Sequence, residues 1–134
     1  MRIIAGKWRS TALAAVGKGD AGAQLRPTSD RVRESLFSML NHHGVIDGAR
    51  VLDLFAGTGA LAFEALSRGS DYALLVENGR VGQKLIAENI AKLRAIDETR
   101  VFFIPARLED NPYLATDGRY EQMLKALPPT QRKQ

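Results

Sequence analysis

Val51-Leu52-Asp53-Leu54-Phe55-Ala56-Gly57-Thr58-Gly59 reads as an apolar strand over residues 51–55 that runs into a glycine-rich turn. Helical spacing follows over residues 60–67, where Leu61 pairs with Ala65 and Ala62 with Leu66, so the turn joins a strand to a helix. Gly57 and Gly59 carry no Cβ. The backbone can therefore turn sharply and leave its N–H groups open to a ligand at the helix start.

Toward the C-terminus, Arg68-Gly69-Ser70 stops that helix, and Tyr72-Ala73-Leu74-Leu75-Val76 forms a second strand ending in Glu77. Gly57 and Glu77 lie twenty residues apart. At about that spacing in doubly wound folds an acid at the end of the second strand meets ribose hydroxyls, because two carboxylate oxygens accept from two vicinal OH groups. A solvated strand end is the alternative reading of Glu77. Residues 83–95 form a crossover helix with Leu85, Ile86, Asn89, Ile90 and Leu93 inward and a Glu88–Lys92 pair outward, and residues 101–104 a third strand. The order β-α-β-α-β predicts an α/β fold, a doubly wound, mainly parallel sheet with its ligand crevice at the strand C-termini.

Toward the N-terminus, Pro27 with Thr28 or Ser29 supplies a helix start, and the helix runs to about Asn41. Spacing places Val32, Leu36, Phe37, Met39 and Leu40 on its inner face and Arg31, Glu34 and Ser38 outside. His42 and His43 point in different directions with no third ligand near them in sequence, so no metal site is expected. Residues 2–9 and 10–16 predict a small N-terminal β-hairpin, followed by a glycine-rich loop over residues 17–24. Trp8, between Lys7 and Arg9, suits stacking on a base while its neighbours hold phosphate, or else a place in the core.

The 134 residues, 45% of them hydrophobic, suffice for one domain, divided here into a basic N-terminal hairpin and loop (1–25) and a ligand-binding domain (26–134). The absence of cysteine excludes disulfides and thiolate metal sites. With no apolar run long enough for a signal peptide or a membrane span, a soluble cytoplasmic protein is expected. The net charge of +4 is uneven: residues 1–33 hold seven Lys and Arg against two Asp, and the remainder is near neutral. That asymmetry fits a polyanion met by one end of the molecule, or a solvated basic surface.

A third glycine of the dinucleotide fingerprint would stand where this turn has Leu61-Ala62. Asp53-Leu54-Phe55-Ala56-Gly57-Thr58-Gly59 instead resembles the first motif of methyltransferases that use S-adenosylmethionine (SAM). Three further stretches accompany it: Met1-Arg2-Ile3-Ile4-Ala5-Gly6, Arg26-Pro27-Thr28-Ser29-Asp30-Arg31-Val32-Arg33-Glu34-Ser35-Leu36-Phe37 and Glu64-Ala65-Leu66-Ser67-Arg68-Gly69. Together they resemble the RsmD family, bacterial SAM-dependent methyltransferases acting on a guanine N2 of 16S ribosomal RNA, over about residues 1–104.

The resemblance implies a Rossmann-like methyltransferase fold with a small N-terminal β-hairpin extension. In it Asp53, Phe55, Gly57 and Gly59 shape the methionine end of the SAM pocket, Glu77 binds the ribose, Asn78 flanks the adenine, and Arg26 and Thr28 close the pocket. Arg2, Lys7, Trp8 and Arg9 would approach 16S rRNA, free or in the small ribosomal subunit, with the protein a monomer that needs no metal. The family's catalytic tetrapeptide has its nearest match in Asp110-Asn111-Pro112-Tyr113, where the acid and a backbone carbonyl accept amine hydrogens and the ring stacks on the base. A simple turn is the other reading of these four residues. Because that tetrapeptide class is shared, methylation of adenine N6 in DNA is an alternative activity, and a SAM- or RNA-binding remnant without turnover is a third.

The pattern departs from the family in three places. Pro105-Ala106-Arg107-Leu108-Glu109 leaves no room for the helix and fourth strand expected before the tetrapeptide, Pro105-Ala106 offers no acid for the adenine amine, and the chain stops at Gln134 without the final strands. A chain lacking internal and C-terminal residues is therefore expected.

Overall fold

A computed structural model of the chain describes residues 1–17, 25 and 27–102, with side chains as far as Arg100. The elements in chain order are α1 (Asp30–His42), β1 (Arg50–Asp53), α2 (Ala60–Ser67), β2 (Tyr72–Val76), α3 (Arg80–Leu93) and β3 (Thr99–Phe102). The three strands are parallel in the order β1-β2-β3, with Leu52 beside Leu74 and Leu75 beside Val101. The α/β, Rossmann-like reading therefore holds. Parallel neighbours require crossover connections, which α2 and α3 supply.

α2 is apolar nearly all round, with residues 62–67 and Ala60 buried, and so forms the centre of the packing rather than one wall of it. Ala62, Phe63 and Leu66 meet Ala73 and Leu75 of β2 and Ile86 and Leu93 of α3 in the main core, joined by Ile3 and Leu13 of the N-terminal segment. A second cluster joins Phe37 of α1 to Ile46 and Ala65.

Three expectations need correction. The first strand ends at Asp53, not Phe55, and among the described residues it lies at a sheet edge, with Leu52, Leu54 and Phe55 exposed. On α1, Val32 and Met39 face outward at 57% and 54% exposure, while Arg33 is wholly buried. The inner face is Arg33, Leu36, Phe37 and Leu40, a helical spacing in which a guanidinium replaces an apolar side chain because both its Nη groups find acceptors. The N-terminal hairpin is reduced to one antiparallel bridge, Arg2 with Ala12, supported by bonds from Ile3 N to Thr11 O and from Leu13 N to Met1 O. Positive φ at Gly6 and Ser10 turns the chain out of extended geometry between them.

That segment is fastened to α2. Lys7 N donates to Ser67 O at 2.8 Å, Trp8 N to Ser67 Oγ at 3.0 Å, and Ser67 Oγ donates to Ala5 O at 2.6 Å. Gly6 permits this approach: its φ is +87°, and a Cβ there would lie 1.8 Å from Ser67 O. Gly6→Ala is expected to cost about 2–3 kcal/mol, the scale of a backbone clash combined with an unfavourable φ, read from urea denaturation. A loss under about 0.5 kcal/mol would show that the segment is not docked in solution.

Candidate cofactor site

Two glycines with left-handed backbone make the turn after β1, Gly57 at φ 55° and Gly59 at φ 80°, the latter capping α2. The turn closes on itself through Gly59 N to Ala56 O at 2.7 Å. At Gly59 a Cβ would also sit 2.4 Å from the Phe63 ring, so this glycine is needed for packing as well as for its φ. Gly57 is different. A Cβ there would make only ordinary contact with Leu25, so its φ alone disfavours a side chain.

Glu77, at the end of β2, is only 9% exposed and holds the turn in place. Its Oε2 accepts the Gly57 N–H and its Oε1 the Gly79 N–H, both at 2.7 Å. These are short, charge-assisted bonds, and each carboxylate oxygen keeps lone-pair capacity for a further donor. The twenty-residue spacing thus has a structural cause: the acid spans from one strand end to the glycine turn of its neighbour. Asn78, the next residue, is exposed.

Gly82, in the first turn of α3, carries no role in the sequence reading. A Cβ on it would lie 2.8 Å from Glu77 Cγ and 2.9 Å from Gly57 O. The sequence pattern starts this helix at residue 83, whereas it begins at Arg80, so Gly82 falls outside the expected helix and carries no signal there. Asn89 of α3 supports the turn from below: its Nδ2 donates to Thr58 O at 3.2 Å, and its Oδ1 accepts Ala14 N at 2.7 Å.

Asp53 ends β1 half-buried. Burial pushes its carboxyl above the ordinary aspartate value, the Phe55 N–H opposes the rise, and the Glu77 charge adds to it. An acid with a raised folded-state pKa makes the folded state bind more protons than the unfolded state just above pH 3.8, so this group lowers stability as pH rises through that window. Asp53→Asn is expected to raise Tm by about 2–4 °C at pH 7. The difference from the wild type should vanish below pH 3.8, where both side chains are neutral; a gain that persists there would contradict the electrostatic origin.

A cleft of about 60 Å³ lies against the turn, lined by Leu25, Pro27, Thr28, Phe55 and residues 56–58, 60 and 61. It brings Thr28 and Phe55 together with Gly57. Phe55 is 93% exposed, with its ring free to cover a ligand. The volume is on the order of two waters, so the cleft is one wall of a site. Arg26 and the tetrapeptide Asp110-Asn111-Pro112-Tyr113 lie outside the described residues.

At the N-terminal end, Arg2, Lys7 and Arg9 are exposed and Trp8 is half-buried, packed against the main core. Lys7 Nζ lies 2.7 Å from Glu98 and 4.4 Å from the Trp8 ring centre. Trp8 thus packs one side against the core and carries the Lys7 ammonium over its ring.

The profile of the family described as Conserved hypothetical protein 95 matches residues 1–130. The chain belongs to this family, the RsmD family of the sequence reading. Among RsmD relatives, the ribosomal RNA small subunit methyltransferase D of Escherichia coli (strain K12) is 45% identical over 95 residues, 71% of this chain and 45% of that one. Among solved structures, a hypothetical protein of Thermus thermophilus aligns with a TM-score of 0.63 at 33% identity, covering 81% of this chain and 58% of that one. A proposed methyltransferase of Escherichia coli aligns with a TM-score of 0.61 at 42% identity, covering 75% and 50%. The chain spans about half the length of the curated relatives it matches. Among the described residues, no helix is long and apolar enough to cross a membrane.

Proposed function

We propose that this chain binds SAM and takes part in methyl transfer to the exocyclic N2 amine of a guanine in 16S ribosomal RNA. The observation that carries the reading is the Glu77 carboxylate, buried, bonded to the Gly57 and Gly79 amides, and still able to accept two hydroxyl hydrogens at the C-terminal ends of β1 and β2. The pair of acceptor oxygens fits the two hydroxyls of a ribose. The relatives' names, which specify small-subunit ribosomal RNA, support the substrate class.

SAM supplies a methyl group on a sulfonium that leaves readily, so the protein's work is positioning. Glu77 fixes the ribose, Asn78 flanks the adenine, and the turn over Asp53, Phe55, Gly57 and Gly59 with Thr28 and Arg26 encloses the methionine end. Asp110 accepts a hydrogen of the guanine amine with help from the backbone at Asn111 and Pro112, and Tyr113 stacks on the base. Arg2, Lys7, Trp8 and Arg9, in the basic segment 1–25, approach the RNA, while 26–134 hold the cofactor. The protein acts as a cytoplasmic monomer.

The test is transfer of labelled methyl from SAM to 16S rRNA, free and in small-subunit particles, with duplex DNA as the comparison. Label recovered as N2-methylguanosine supports the reading, and Asp110→Ala should abolish it with SAM affinity unchanged. Label in DNA adenine would replace the substrate assignment. SAM binding with no transfer to any substrate would reduce the chain to a binding module.

A further inference from the structure

Arg33 is wholly buried, although arginine rarely is. Its Nη1 donates to Thr28 O at 3.0 Å, its Nη2 donates to Asp30 Oδ1 at 3.0 Å and to Arg2 O, and its Nε lies 3.6 Å from Glu64 Oε2 without a hydrogen-bond partner. Among the described residues, the Thr28 bond is the one hydrogen bond made by Leu25, Pro27 or Thr28. These three residues form one wall of the cleft beside the glycine turn. The guanidinium is planar and rigid, so it fixes the Thr28 carbonyl relative to α1, which packs through Phe37 against Ala65 of α2. Glu77 does not line this cleft. The wall therefore faces the part of a ligand beyond the ribose.

We infer that Arg33 is a positioning residue that sets the Thr28 wall of the cofactor site and thereby its affinity for the amino-acid end of the ligand. The inference rests on the reading of the site as a SAM pocket. Arg33→Lys keeps a cation beside Glu64 but lacks the fork that reaches two carbonyls and a carboxylate together. Asp30→Ala removes one partner of the fork at a half-exposed position and leaves the buried ion pair intact.

The experiment is calorimetric titration of the wild type and both variants with two probes: S-adenosylhomocysteine, which carries the amino-acid end, and methylthioadenosine, which lacks it. The expected result for Arg33→Lys is a loss of about tenfold in S-adenosylhomocysteine affinity with methylthioadenosine affinity held within about twofold, a split that general destabilisation would not produce. For Asp30→Ala a smaller loss of the same kind, about threefold, is expected, and it decides the matter if Arg33→Lys does not fold. Equal losses for the two probes, or none, overturn the Arg33 assignment and leave the SAM reading standing. A wild type that binds neither probe overturns both.

Discussion

Glu77→Ala is expected to lower affinity for S-adenosylhomocysteine by about 100-fold or more. Each charge-assisted bond to a hydroxyl contributes about 1.5–3 kcal/mol, so losing two exceeds the roughly 2.8 kcal/mol of a 100-fold change. The loss has a second source, because the same oxygens hold the Gly57 and Gly79 amides at 2.7 Å and removing them frees the turn. Glu77→Gln separates the two contributions: its NH2 can only face a backbone donor, so one amide loses its acceptor while one carbonyl oxygen remains. An intermediate loss is expected. Calorimetric titration reads both variants, and a Glu77→Ala protein that binds within about threefold of the wild type would remove the ribose role.

Glu64→Ala is expected to unfold or severely weaken the protein, at a cost of about 3–5 kcal/mol against a typical domain stability of about 5–15 kcal/mol. The carboxylate is wholly buried and accepts from Ile4 N at 3.0 Å, Ala5 N at 3.2 Å and Arg68 Nε at 2.8 Å, with the Arg33 guanidinium 3.6 Å away. Its removal takes away the one fully buried anion beside Arg33, leaving the half-exposed Asp30 as its remaining carboxylate, and leaves two backbone donors without acceptors, which are the costly outcomes for a buried polar network. Urea denaturation measures the total. Amide hydrogen exchange locates it, since Ile4 and Ala5 should exchange faster than the amides of β2. A cost below about 1 kcal/mol would mean that water replaces the carboxylate and that the N-terminal segment is held elsewhere.

The alternation from β1 to β3 was legible because each element carries its own period, and the βαβ connection of Gly57 to Glu77 because the spacing is set by the fold itself. What escaped the sequence depends on partners far apart in the chain. The helical spacing assigns Arg33 no face, and its burial follows from Thr28 O, Arg2 O and Glu64 around it; with Arg33 inward, Val32 and Met39 face outward. Gly82 lies just before the helix as its spacing predicts it, and its role shows only once Glu77 is found packed on it. The hairpin is short for a local reason, since Gly6 and Ser10 take positive φ and residues 5, 7 and 8 bond to Ser67 of α2 instead of to a partner strand. Motif residues Glu64, Ser67 and Gly6 thus share one task, docking the basic N-terminus on α2.

The central claim is that the clasp of Glu77 on the glycine turn is a SAM site, and titration of the wild-type protein with S-adenosylhomocysteine tests it most directly. The account predicts one ligand bound per chain in the micromolar range, with binding lost in Glu77→Ala at unchanged secondary structure by circular dichroism. Absence of binding up to millimolar ligand, or binding that survives Glu77→Ala, would contradict it.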